Sequence, residues 1–231
     1  MVSVPSGLLT CLQRLEVLRT LSRIAGACAL GMGLVLIGLQ GAVAARARTI
    51  LVFGDSLSAA YNLRAEQGWV ALLQERLRAQ GYGYVTVNAS ISGETTSGGL
   101  QRLPRALGLH RPAIVILELG ANDGLRGLPL GTVRANLKRM IQLAEGAGAK
   151  VLLLGIRLPP NYGPRYGDGF ANMYGELAAQ FRLPLVPFLL QRVALNPELM
   201  QSDGLHPNAE GEAPVLETVW PYLVPMLRRA P

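Results

Sequence analysis

Five apolar runs of strand length recur along the chain, separated by longer amphipathic or polar stretches. The runs are mostly uninterrupted Val, Ile and Leu, which is typical of strands buried on both faces. Such strands occur in parallel sheets that are covered by helices. The predicted strands are Thr49–Gly54, Tyr84–Ala89, Ala113–Leu119, Lys150–Ile156 and Leu183–Phe188.

Apolar residues between these runs recur at helical spacing. One predicted helix places Trp69, Leu72, Leu73 and Leu77 on one face, and another does so with five residues between 133 and 144. A last helix is predicted from near Asn208 to Arg229, although Pro214 and Pro221 disfavour a regular one. The alternation of strands and helices predicts one α/β domain with three layers and a parallel sheet.

The first 47 residues have the pattern of an export signal. Arg14, Arg19 and Arg23 precede an uncharged, largely apolar run over residues 24–45. Small residues then occupy peptidase positions at 42–44 and 45–47, which favours cleavage. We therefore expect residues 1–47 to be a signal peptide and residues 48–231 to be the exported domain. The alternative is an uncleaved membrane anchor, because the run is long enough to span a bilayer.

Cysteine content and charge exclude several classes of protein. Both cysteines, Cys11 and Cys28, lie in the leader, so the exported domain would have no disulfide, cysteine nucleophile or thiolate metal site. The formal net charge is +7, but Lys and Arg form no runs and are not interleaved with aromatic residues. We therefore expect no nucleic-acid partner.

Polar segments follow the predicted strands. In open α/β sheets, functional groups gather beyond the carboxyl ends of the strands. These segments are therefore expected to converge at one edge, although they are far apart in sequence. They are Gly54–Leu57, Ser90–Glu94, Gly120–Gly124 and Ser202–Pro207.

The converging segments contain the parts of a nucleophilic serine site. Ser56 follows the first strand, and a serine hydroxyl needs a base to take its proton. His206 lies at the correct edge, with Asp203 three positions earlier to orient it. The other histidine, His110, precedes the third strand and is expected at the opposite edge. Ser56, Asp55 and Asp203 could instead be ordinary caps of helices or turns.

Three groups are candidates to stabilise an oxyanion. They are the Ser56 N–H, the Gly93 N–H and the side-chain amide of Asn122. Taken singly, Gly93 and Asn122 are just as well explained as turn residues.

Together these residues resemble the SGNH, or GDSL, hydrolase family. The resemblance is carried in order by a Gly-Asp-Ser-Leu block, a glycine, a Gly-x-Asn-Asp block and an Asp-x-x-His block. Longer matches resemble the bacterial periplasmic thioesterase I/lysophospholipase/arylesterase subfamily. The four blocks are Gly54–Leu57, Gly93, Gly120–Asp123 and Asp203–His206, and the longer matches are Asn88–Thr95, Glu118–Gly127 and Arg157–Gly163.

This resemblance implies a flavodoxin-like fold with a five-stranded parallel sheet and a periplasmic location. It implies an acyl-enzyme on Ser56, with His206 as base and then acid and Asp203 as its orienting carboxylate. It also implies an oxyanion hole from Ser56, Gly93 and Asn122, and no metal or organic cofactor. Residues 125–130 and 158–166 would border the acyl pocket.

The function expected is hydrolysis of carboxylic esters or thioesters, such as aryl esters, acyl-CoA or lysophospholipids. The substrates would be small molecules, the membrane would be contacted only through the leader, and we expect a monomer. A carbohydrate or peptidoglycan O-acetylesterase of the same fold is the alternative. A non-enzymatic periplasmic binding protein is disfavoured, because Ser56, Asn122, Asp203 and His206 are all present.

Overall fold

The computed structural model describes residues 48–229. The predicted leader, residues 1–47, lies outside the described residues, so its role stays a prediction. Among the helices of the described part, none is both long and apolar enough to cross a membrane.

A five-stranded sheet forms the centre of the domain, and all of its strand pairs are parallel. The strand order is β2-β1-β3-β4-β5, which confirms the predicted parallel sheet. The strands are β1 (Arg48–Gly54), β2 (Tyr84–Asn88), β3 (Ile114–Glu118), β4 (Lys150–Leu154) and β5 (Leu185–Val186).

The last strand is much shorter than the sequence predicts. An apolar run extends over residues 183–188, but β5 contains only Leu185 and Val186. Pro184 and Pro187 flank these two residues, and proline cannot donate a ladder hydrogen bond. The edge of the sheet therefore ends after two paired residues, and the chain is free to turn toward the functional edge.

Six helices connect and follow the strands in the described part of the chain. The helices at Trp69–Ala79 and Leu130–Gly146 lie where the sequence predicted helices. The last helix also starts where predicted, and the Asn208 side chain caps it by accepting from Gly211 N–H at 3.0 Å. The helices are α1 (Trp69–Ala79), α2 (Thr96–His110), α3 (Ala121–Leu125), α4 (Leu130–Gly146), α5 (Pro164–Phe181) and α6 (Ala209–Leu223).

Helix α6 was predicted to reach Arg229, but it ends at Leu223. A short 3-10 turn, Val224–Met226, follows it. Pro225 lies in this turn and has no N–H to donate to the end of the helix. Pro214 and Pro221 are accommodated inside the helix despite the cost expected of them.

Two hydrophobic cores lie on opposite faces of the sheet. Ile50 and Val52 of β1 contribute to one core, together with buried residues of α1 and α6. Leu51 and Phe53 contribute to the other, together with buried residues of α2, α4 and α5. Successive residues of a strand point to opposite faces, so this division confirms the three-layer α/β fold.

The strand order reverses its direction between β1 and β3. The chain moves from β1 to β2 on one side and then returns to place β3 on the other side of β1. A crevice opens beyond the carboxyl ends of the strands at such a switch point. The segments after β1 and β3 therefore border the same crevice.

Candidate active site

The Ser56 hydroxyl meets the His206 imidazole at the edge formed by the carboxyl ends of the strands. Ser56 Oγ lies 2.8 Å from His206 Nε2, although the two residues are 150 positions apart in sequence. Ser56 follows β1 by two residues, in a turn held by a hydrogen bond from Leu57 N–H to Asp55 Oδ1 at 3.1 Å. The two side chains are therefore within reach of a proton transfer.

Asp203 occupies the other nitrogen of the same imidazole. Its Oδ2 lies 2.6 Å from His206 Nδ1, and its Oδ1 accepts from Leu205 N–H at 2.9 Å and from His206 N–H at 3.1 Å. Partial burial acts to raise the pKa of the Asp203 carboxyl, but these hydrogen bonds outweigh it and lower the pKa below its ordinary value. Asp203 is therefore ionised at neutral pH and holds a proton on Nδ1, which leaves Nε2 free to accept one.

The loop that carries Asp203 and His206 is itself held to the domain. Met200 pairs with Pro207 in an isolated bridge, and Gln201 N–H donates to His206 O at 2.8 Å. Gly204 adopts a φ of 66°, which lets the chain turn between the two functional side chains. The imidazole is thus positioned by backbone contacts as well as by its carboxylate.

Two of the predicted oxyanion donors, both backbone N–H groups, have no acceptor among the described residues. Among hydrogen bonds within residues 48–229, none uses the N–H of Ser56 or of Gly93 as donor. Gly93 has a φ of 79°, a conformation that favours glycine, and a side chain built there would meet open space. Both N–H groups are thus available to bind an acceptor.

The Asn122 amide borders the same cavity but is already engaged. Its Nδ2 donates to Asp55 Oδ2 at 3.2 Å and to Glu94 O at 3.0 Å. These bonds fix the orientation of the amide, and a substrate oxygen would have to share one of its hydrogens. Of the three predicted donors, the two backbone groups are free and the side chain is pre-positioned.

Two buried carboxyl groups lie beneath the serine turn. Glu118 ends β3, and its Oε2 accepts from Ser58 Oγ at 2.8 Å and from Asp55 N–H at 3.2 Å. Burial raises the pKa of Asp55 and of Glu118, and the neighbouring Asp55 charge raises the pKa of Glu118 further. A Cβ at Gly54 would lie 2.5 Å from Glu118 Oε2, so glycine is required where the turn crosses this carboxyl.

Sequence reasoning did not identify Glu118 as a functional residue. The available signal was an acidic side chain at the end of an otherwise apolar strand, Ile114–Glu118, directly before the predicted oxyanion block. Buried carboxyls are rarely tolerated without a partner, so such a residue indicates a specific contact.

An apolar cavity opens beside the serine. It has a volume of about 620 Å³, and Ser56 and His206 are among the residues that line it. Leu125 and Leu158 belong to its walls, as the sequence predicted, but residues 126–130 and 161–166 do not line it. Another part of the lining comes from the segment after β5, including Phe188, Leu190 and Leu195, which the sequence analysis did not assign to the pocket. The feature of the sequence that could have indicated this part of the pocket is the apolar run Phe188–Leu190, which continues past the strand.

His110 lies far from these groups. It ends α2 and precedes β3 at the amino ends of the strands, as predicted, whereas Ser56 and His206 lie beyond the carboxyl ends. Within residues 48–229 no group of three or more His, Cys, Asp or Glu side chains is arranged to hold a metal ion.

The sheet order, the crevice and the Ser-His-Asp arrangement define a serine-hydrolase type of α/β protein. The profile of the GDSL-like lipase/acylhydrolase family matches residues 52–213. The chain belongs to this family, which confirms the resemblance seen in the sequence.

Two proteins and one solved structure show which members of the family this chain is similar to. The chain is 54% identical over 196 residues to Esterase TesA of Pseudomonas aeruginosa, covering 85% of this chain and 96% of that protein. It is 43% identical over 184 residues to thioesterase 1/protease 1/lysophospholipase L1 of Escherichia coli K12. This match covers 80% of this chain and 87% of that protein. The crystal structure of TesA superposes with a TM-score of 0.76 and 55% identity, over 78% of this chain and 100% of that one.

Proposed function

We propose that this chain hydrolyses carboxylic esters and thioesters through an acyl-enzyme on Ser56. The observation that carries the proposal is the relay of two short contacts, Ser56 Oγ to His206 Nε2 at 2.8 Å and His206 Nδ1 to Asp203 Oδ2 at 2.6 Å. Family membership and the names of the relatives, which are esterases and a thioesterase, support the same reaction class.

Acylation follows from this geometry. Ser56 Oγ attacks the acyl carbonyl carbon while its proton passes to His206 Nε2, and the carbonyl π electrons move onto oxygen. Asp203 stabilises the imidazolium that forms. When the tetrahedral intermediate collapses, the bond to the alkoxide or thiolate breaks, and His206 returns the proton to that leaving group.

Deacylation repeats the same steps with water. His206 takes a proton from a water molecule, whose oxygen attacks the Ser56 ester carbonyl. Collapse of the second intermediate releases the carboxylic acid and restores the Ser56 hydroxyl. The same proton transfer from His206 serves alkoxide, phenolate and thiolate leaving groups.

The oxyanion of each intermediate is assigned to Ser56 N–H, Gly93 N–H and the Asn122 amide. The first two groups have no acceptor among the described residues, and the third borders the cavity in a fixed orientation. Removing one donor of this kind typically costs about 3 kcal/mol of barrier. Asn122→Ala is therefore the variant that reports on the oxyanion hole.

An acyl chain is the group that the cavity fits best. Its volume of about 620 Å³ and its walls of Leu158, Phe188 and Leu190 suit an apolar substituent. An acetylated polysaccharide would gain little from such walls, which disfavours the carbohydrate O-acetylesterase alternative. We therefore propose small acyl esters and thioesters, including lipid-derived ones, as substrates.

The test is an acyl-length series of p-nitrophenyl esters and acyl-CoA thioesters with wild type and Ser56→Ala. We expect Ser56→Ala to lose roughly 10⁴-fold or more in kcat/KM while keeping its circular dichroism spectrum. Ser97→Ala, which removes an exposed hydroxyl on α2, is the matched control and should keep full activity. Turnover retained in Ser56→Ala would remove this hydroxyl from the mechanism.

We also propose that residues 1–47 direct export to the periplasm and that the enzyme released there begins near Arg48. The basic residues, apolar run and small residues of the leader support this location. The first strand begins at Arg48, so cleavage before it would leave the sheet complete.

A further inference from the structure

An aromatic ring lies against the imidazole of His206. The ring centroids of Tyr61 and His206 are 4.4 Å apart, and the ring planes are tilted by 35°. Tyr61 is 38% exposed and is not among the residues of the described chain that line the cavity. Its contact with the site is therefore made through His206 and not through the substrate.

The backbone around Tyr61 is held in an unfavourable conformation. Ala60 and Asn62, the residues on either side, have φ angles of 55° and 56°. Non-glycine residues rarely adopt this region, and although asparagine does so more readily than most, alanine does not. Such strain persists only where surrounding contacts impose it, and here it presents the Tyr61 ring to the imidazole.

A single side chain joins the tyrosine loop to the histidine loop. Gln201 Nε2 donates to Tyr61 O at 2.9 Å and to Pro207 O at 2.8 Å, and Pro207 directly follows His206. Ala60 packs close to Gly68, where a Cβ would lie 2.7 Å from the Ala60 Cβ. The ring is thus fixed relative to the imidazole from both sides.

We propose that Tyr61 is a positioning residue that stabilises the imidazolium form of His206 through the face of its ring. A cation within about 6 Å of an aromatic centroid is attracted by the negative face of the ring. His206 becomes an imidazolium whenever it takes the proton of Ser56 or of water. The ring therefore stabilises the positive charge that develops on His206 in the transition state. This inference rests on the proposed function of His206 as base.

Other groups also face this imidazole. Asp203 binds Nδ1 and Ser56 binds Nε2, while the Arg157 side chain lines the same cavity. Replacing Tyr61 removes none of these groups, so a change in the titration of His206 that is absent from Tyr61→Phe is attributed to the ring. The proposal involves the ring of Tyr61 and not its hydroxyl. Tyr61→Phe keeps the ring and should therefore behave as wild type, whereas Tyr61→Leu removes it.

Direct titration by NMR is the first test. The chain contains only two histidines, so comparison with His110→Ala assigns the imidazole signal of His206. We expect the titration midpoint in Tyr61→Phe to stay within about 0.2 pH units of wild type, and that in Tyr61→Leu to fall by about 0.5 units. The fall follows because loss of the ring removes stabilisation of the protonated form. An unchanged midpoint in a folded Tyr61→Leu would overturn the proposal.

Kinetics with p-nitrophenyl butyrate give the second readout. In Tyr61→Leu we expect kcat/KM to fall about threefold to tenfold, mainly through kcat, and the acidic limb of the pH profile to move to lower pH. Tyr61→Phe should keep wild-type kinetics, and a loss there would overturn the proposal by implicating the hydroxyl. Tyr222→Leu, at a site of similar exposure (37%) on α6, is the matched control and should behave as wild type.

Pentafluorophenylalanine at position 61 keeps the proposal testable if Tyr61→Leu does not fold. It has nearly the shape of phenylalanine but a reversed ring quadrupole, so the midpoint should fall relative to Tyr61→Phe. Equal midpoints would overturn the inference. His206→Ala separates the two proposals. Full activity in this variant would refute the role of His206 as base. If His206→Ala is inactive but the variants at position 61 behave as wild type, only the role of the Tyr61 ring is refuted.

Discussion

Replacing Glu212 by glutamine should remove one defined contribution to the pH dependence of folding stability. Glu212 lies in the first turn of α6, is 3% exposed, and its Oε2 accepts from Trp69 N–H at 2.8 Å. Trp69 begins α1, whose N-cap Gly68 has no side chain to cap the helix. The carboxyl of α6 therefore supplies the cap of α1 from 143 residues away.

The magnitude follows from the pKa. Burial raises the pKa of Glu212 from 4.5 to about 7, against the lowering effect of the Trp69 N–H hydrogen bond. The folded state then binds the proton more tightly than the unfolded state, so this group favours folding at low pH. That contribution is lost as the pH rises from 4.5 through about 7, at about 1.4 kcal/mol per pH unit, or ~3 kcal/mol in total.

Glutamine keeps an acceptor for Trp69 N–H but cannot ionise. We expect Glu212→Gln and wild type to have similar free energies of unfolding near pH 4.5. The variant should become the more stable of the two by ~3 kcal/mol near pH 8. The buried carboxyls Asp55 and Glu118 are present in both proteins, so their contributions cancel in the difference.

Urea unfolding followed by tryptophan fluorescence at pH 4.5, 6, 7 and 8 measures this difference, since Trp69 is buried. Glu210→Gln is the matched control, because Glu210 lies in the same helical turn but is exposed. That control should follow the wild-type curve at every pH. Parallel curves for Glu212→Gln and wild type would refute the reasoning about this carboxyl.

Two further substitutions test other parts of the structure. Gly120→Ala should lower the free energy of unfolding by at least about 2 kcal/mol in urea, because φ is 124° there and a Cβ would lie 2.4 Å from Tyr174 Oη; an unchanged midpoint would contradict this. His110→Ala should change kcat/KM for p-nitrophenyl esters less than twofold, because His110 lies at the amino ends of the strands. A large loss of activity would show that the wrong imidazole has been assigned as base.

The sheet was predictable because its strands are buried on both faces. Continuous apolar runs of this length are typical of such strands, and each of the five predicted runs overlaps an observed strand. The bounds of helix α2 were not predicted, because Gly98, Gly99 and Pro104 weaken its local preference for helix. Its burial against the sheet compensates for this, and sequence periodicity does not report such tertiary contacts.

The approach of Ser56 and His206 was predictable for a topological reason. Both follow the carboxyl ends of strands, and parallel strands bring such segments to one edge. The contacts of Glu118, Glu212 and Tyr61 were not predictable, because each depends on the register between distant elements. Glu212 and Trp69, for example, are 143 residues apart, and neither belongs to a sequence motif.

The two-residue strand β5 has a consequence for how substrate preference can change. The proposed nucleophile, Ser56, follows β1, which is paired on both sides, whereas the cavity wall within Phe188–Leu195 follows a strand that is paired on one side only. Rebuilding that wall would disturb few ladder hydrogen bonds and none that hold the serine turn. Selection, natural or in the laboratory, can therefore alter which acyl group is accepted while the reaction itself is preserved.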